Sequence, residues 1–182
     1  GILEIPWMKD SYWPHLLQVF YGVPMAFGHD TAAAVLHALL CGLLVLAVFS
    51  AGHIEEGGKT ASACAWIAAA LLAGQPILHY VAAEPRAEGA LAFFHFLACL
   101  ALWRWSKTGS SGFLAAGGLM SGLAAASKMH GLVLFASLAL WVMLRAQGRA
   151  QRLRAGLVYS ACAAAIAAPW YFKTFWHTGN PV

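Results

Sequence analysis

The stretch from Thr31 to Ala51 reads TAAAVLHALLCGLLVLAVFSA, and it decides the fold. It carries no charged side chain, and only Thr31, His37 and Ser50 interrupt an otherwise apolar run. A helix of this length crosses the hydrocarbon core of a bilayer, for which about 20 apolar residues suffice. Helix is also the form that satisfies every backbone polar group within one segment, as lipid demands.

Five further runs follow: Thr60 to Val81, Glu88 to Trp105, Gly112 to Ser127, Gly131 to Leu144, and Ala155 to Phe172. The fourth and fifth are short. They can be read as one long kinked helix, but a tight hairpin at Lys128 and His130 returns the chain evenly to one side. Gly118 and Gly122 form a GxxxG step suited to close helix packing. The expectation is an all-α polytopic transmembrane bundle of about six spans with short loops, forming a single domain. Residues 1–30 would form an interfacial segment on the outer face, and residues 173–182 a second outer segment. Both ends read as cut, so a longer parent chain is expected.

Composition points the same way. Hydrophobic residues make up 61% of the 182 and charged residues 10%, against about 25% charged in soluble domains. Mean hydropathy is +0.68. The charged shell of a soluble domain is missing, and the apolar surface calls for lipid or membrane protein as its solvent.

Charge orients the bundle. If the runs alternate, one side receives Lys59, Arg104, Lys107, Arg145, Arg149, Arg152 and Arg154, seven of the eleven basic residues, with Glu55 and Glu56. The other receives Lys9, Arg86, Lys128 and Lys173 with five carboxylates. The positive-inside rule makes the first side cytoplasmic. Those basic loops read as orienting charges, and no nucleic-acid partner is expected. Cys41, Cys64, Cys99 and Cys162 all lie in apolar runs at no zinc spacing and read as packing residues.

The candidates for chemistry gather on the outer side. Glu84-Pro85-Arg86-Ala87-Glu88 places two carboxylates and a guanidinium at the start of the third span. Glu88 and Glu84 can accept hydrogen bonds from a polar substrate or act as a base; a solvated turn with a local ion pair is the plainer reading. Ser127-Lys128-Met129-His130-Gly131 offers an ammonium and an imidazole to a phosphate; a snorkelling lysine accounts for it equally well. Lys173 and His177 stand one helical turn apart in the last stretch. The rings of Trp13, Phe20, Tyr21 and Phe27 suit an aromatic belt. His37 and His95 fall at similar depth within two spans, which allows tetrapyrrole ligation or two hydrogen-bonded imidazoles in a packed interior.

In their order these features resemble the middle portion of the polytopic GT-C glycosyltransferases, in particular bacterial protein O-mannosyltransferases and aminoarabinose transferases. Four stretches carry the likeness: Trp7 to Trp13 running into Phe20-Tyr21-Gly22; Glu84 to Glu88 with Leu91-Ala92-Phe93-Phe94; Ala126 to Leu132; and Pro169-Trp170 through Asn180-Pro181. The resemblance implies transfer of a sugar from a polyprenyl-phosphate-linked donor to an acceptor on the outer face of a bacterial inner membrane. It implies Glu88 as the second acidic group and Lys9 and Lys128 as contacts to the donor phosphate; by their own chemistry Glu84 joins Glu88 as a catalytic candidate, and Arg86 and His130 join the lysines as candidates for the phosphate. The family's principal catalytic acid lies in an earlier outer loop that has no counterpart here, and Asp10 stands where a proline often follows the lysine matched by Lys9. No cofactor is expected, the lipid-linked sugar being a substrate, and a metal is left open. Membrane lipid and partner membrane subunits are the other expected partners. The competing expectation is a non-catalytic structural or accessory subunit of a larger membrane complex.

Overall fold

A computed structural model describes residues 14–55 and 59–181, and every regular element among them is an α-helix. The helices are α1 (Leu16–Ala26), α2 (Asp30–Glu55), α3 (Lys59–Ala73), α4 (Pro76–Ala82), α5 (Glu88–Thr108), α6 (Ser111–Ser127), α7 (His130–Arg145) and α8 (Arg149–Thr178). Most of the described part of the interfacial segment is α1, whose Leu17 and Tyr21 pack with Ala33, Ala87 and Ala90. Lys9 and Glu56 lie outside the described residues.

Three helices, α2, α5 and α8, are long and apolar enough to cross a membrane, or four crossings if the bent pair α3–α4 counts as one. That is fewer than the six expected spans. At 17 and 16 residues, α6 and α7 reach only about 26 and 24 Å at 1.5 Å per residue, short of a core about 30 Å thick.

The run Thr60 to Val81 is not one helix. The chain bends by 62° between α3 and α4. Pro76 has no N–H to donate and forces Gln75 into an extended conformation (φ −73°, ψ 120°), which ends α3. The Gln75 side chain donates to the Leu71 carbonyl at 3.2 Å, recovering one acceptor near the break. The last helix departs the other way: it starts at Arg149 rather than Ala155 and runs to Thr178 rather than Phe172. Its basic first turns and polar last turn extend past the apolar run, and at about 45 Å it is longer than the bilayer core.

Large apolar side chains point outward and small ones inward. Val35, Leu39, Trp66, Leu71, Val133 and Leu157 are each more than half exposed, whereas Ala90, Ala98, Ala124 and Ala126 are sealed. This inversion of a soluble core fits a bundle whose outer solvent is lipid. The GxxxG face of α6 lies on α8: a Cβ on Gly118 would meet the Tyr159 carbonyl oxygen at 2.5 Å. Tyr159, fully buried, donates to Ser121 Oγ at 2.7 Å and stacks on Phe135, their centroids 5.5 Å apart. Ser121 and Phe135 are equidistant in sequence from Lys128, so α6 and α7 form the hairpin, and the single kinked helix is excluded.

The bundle has two chemically different ends. Along α5, Glu88 opens one end, where the α4–α5 and α6–α7 turns meet α1. Trp105 lies near the other, beside Arg145 and the start of α8.

Candidate functional site

At the Glu88 end, a cavity of about 370 Å³ lies between three elements. Pro14, His15 and Gln18 line it from α1 and its approach, Pro85 to Glu88 from the α4–α5 turn, and Ser127 to Met129 from the α6–α7 turn. Local sequence builds the last turn. Lys128 is extended and ends α6, its N–H donating to the Ala124 carbonyl at 3.1 Å. Gly131 then folds α7 back so tightly that a Cβ there would run into the Ala124 backbone. Glycine is required by that approach.

Lys128 Nζ donates to Glu88 Oε1 at 2.6 Å, a pair formed across 40 positions of sequence. The Lys128 side chain is 30% exposed and that of Glu88 44% exposed, so both reach solvent at the cavity rim. Arg86 lines the same cavity. Its Nε binds Glu84 Oε2 in an exposed pair, and its guanidinium lies over the Tyr80 ring, 5.4 Å from the centroid. The Glu84 carboxylate beside it raises the Arg86 pKa above its usual value.

The structure therefore brings together Glu88, Lys128 and Arg86. Glu84 is turned to Arg86 and does not line the cavity, and neither does His130, the exposed first residue of α7. Lys173 buries its Nζ without a hydrogen-bond partner among the described residues, while His177 is exposed. No group of three or more metal-ligating side chains occurs among the described residues.

Behind the rim lies a contact that sequence reading missed. The Tyr21 hydroxyl is 2.6 Å from His37 Nδ1 and 3.4 Å from the Arg86 carbonyl oxygen. Burial pushes the Tyr21 phenol up to about 12, so it keeps its proton at neutral pH. His37 Nε2 is sealed without a hydrogen-bond partner among the described residues, against Gly89, where a Cβ would come within 2.9 Å of it. That packing leaves no room for a flat macrocycle at Nε2 unless α5 moves. The sequence presents Tyr21 as a belt aromatic and as part of the Phe20-Tyr21-Gly22 stretch, and nothing in its spacing from His37 signals the bond, because it depends on how α1 docks. Comparison with family models, with curated proteins and with solved structures finds no match to this chain.

Proposed function

We propose that this chain is part of a membrane glycosyltransferase that moves a sugar from a polyprenyl-phosphate-linked donor to an acceptor at the Glu88 end of the bundle. The observation that carries the reading is the Lys128–Glu88 pair at the rim of a cavity that Arg86 also lines. A donor phosphate competes with Glu88 for Lys128, since an ammonium serves either anion as a point charge. Once Lys128 turns to phosphate, the Glu88 carboxylate is free to accept hydrogen bonds from the sugar or the acceptor hydroxyl. Arg86, already shared with Glu84, adds positive potential on the same wall. The four stretches that resemble the GT-C family support the sugar-transfer chemistry. In this reading the Glu88 end faces outward from a bacterial inner membrane and the arginine-rich end faces the cytoplasm.

The test measures donor binding and transfer separately, with a polyprenyl-phosphate sugar as probe. Lys128→Ala weakens donor binding about tenfold or more, a loss of ~1.4 kcal/mol. Glu88→Gln lowers turnover about tenfold while donor affinity stays within about twofold. If both variants bind and transfer as the parent does and change only stability, the pair is a helix-end latch and the chain an accessory subunit.

A further inference from the structure

We propose that the opposite end of the bundle holds the phosphate of an anionic phospholipid, in a polar cavity between the α5–α6 and α7–α8 turns. A cavity of about 520 Å³ there is lined by Trp105, Ser111, Gln151 and Arg154 among others. It adjoins one of about 260 Å³ that Arg145 and Gln147 line, and the two share Trp105, Gly109 and Gln151. Among the described residues, no carboxylate lines either one. Two guanidiniums with two amide side chains make an environment for a phosphate, which arginine binds in a bidentate fork.

The floor is firm. Trp105, Leu114, Ala146 and Ala155 belong to one buried cluster with Tyr159, and Trp105 meets Trp141 edge-on with centroids 6.2 Å apart. Arg152 Nε donates to the Ala146 carbonyl at 3.0 Å and ties α8 to the end of α7. The arginines that line the cavities are exposed at its mouth, where a hydrated headgroup would enter.

A lipid fits better than a soluble phosphate because of the neighbouring residues. Leu144 precedes Arg145 and is 68% exposed; Leu153 precedes Arg154 and is 65% exposed, with Leu157 one turn further along α8. Exposed leucines next in sequence to the cavity arginines offer acyl chains an apolar surface while the phosphate is held. Basic pockets at helix ends are known to select anionic headgroups in this manner.

The test uses the purified full chain in neutral detergent, with dioleoylphosphatidylglycerol, dioleoylphosphatidylcholine and glycerol 3-phosphate as probes, read by native mass spectrometry. Phosphatidylglycerol is retained about fivefold or more over phosphatidylcholine, and the preference fades as salt rises. Combining Arg145→Gln with Arg154→Gln removes the preference, and the lysine versions of both retain part of it. Should the double variant fold poorly, Gln151→Glu tests the same cavity at an exposed position and must also remove the preference. Equal retention of both lipids, unchanged preference in the folded variants, or displacement by glycerol 3-phosphate at equal concentration overturns the proposal. So does loss of phosphatidylglycerol on Lys128→Ala, which would place the lipid at the other end.

Discussion

A Cβ added to Gly122 would lie 2.5 Å from the Ala163 carbonyl oxygen and 3.0 Å from the Ala163 Cα. The backbones of α6 and α8 are therefore closer than any side chain at position 122 allows. Small residues let helices in lipid gain dispersion contacts that no hydrophobic effect supplies there.

Gly122→Ala should accordingly destabilise the bundle by about 1–3 kcal/mol, the range for overpacking a tight contact. Gly42→Ala is the control, since a Cβ there meets nothing within 4 Å. That change should be neutral or stabilise by up to about 1 kcal/mol, because alanine loses less entropy in a helix. Thermal unfolding of both variants in detergent decides the matter, and equal melting temperatures would mean that α6 and α8 do not pack this way.

Tyr21 and His37 make the second prediction. Tyr21→Phe removes the partner of a sealed imidazole, which then has neither ring nitrogen satisfied among the described residues. An orphaned buried polar group costs about 1–3 kcal/mol. His37→Leu combined with Tyr21→Phe should cost less than the sum of the singles, since the double variant removes both members of the Tyr21–His37 contact. Additive losses would show that the two side chains do not interact.

Much of the helical layout was legible in the sequence. Although the helices run on to Glu55 and Thr108, the long apolar runs of α2 and α5 mark the presence and the starts of two helices, because hydropathy and hydrogen bonding begin together there. They part company at α8, where Arg149, Arg152 and Arg154 are polar yet helical. They part again at Gln75-Pro76, where the apolar average continues while the hydrogen-bond ladder stops. At the site, Glu88, Lys128 and Arg86 stood out as charges in an apolar chain. Their order along the chain shows a shared side, but the pairing of Glu88 with Lys128 rather than with Arg86 depends on how α5 and the α6–α7 turn pack. Tyr21 gave no signal, because an aromatic belt explains such a ring without any partner.

Orientation is open to direct labelling. A cysteine placed near Arg86 should react with a membrane-impermeant reagent in intact cells, and one near Arg149 should not, given seven basic residues against four. Cys64 and Cys99 are exposed and must first be replaced by serine or alanine to silence the background. The reverse pattern would invert the bundle and remove the outer-face assignment of Glu88 and Lys128.

Exchanging the two charges separates a latch from a binding site. As both side chains are partly exposed, the Lys128–Glu88 pair should contribute only about 0.2–1 kcal/mol to stability. Either reversal alone, Glu88→Lys or Lys128→Glu, sets like charges against each other and should lower the melting temperature slightly. The double exchange restores opposite charges and should recover that loss. It also moves the ammonium from the α6–α7 turn to the start of α5, so a phosphate that docks at position 128 meets a carboxylate. Donor binding should therefore stay about tenfold or more below the parent in the exchanged protein, while its stability returns to the parental value. A gap between recovered stability and unrecovered binding is what a ligand role for Lys128 requires. Full recovery of donor binding would make the positions interchangeable, and the phosphate contact at Lys128 would then be wrong.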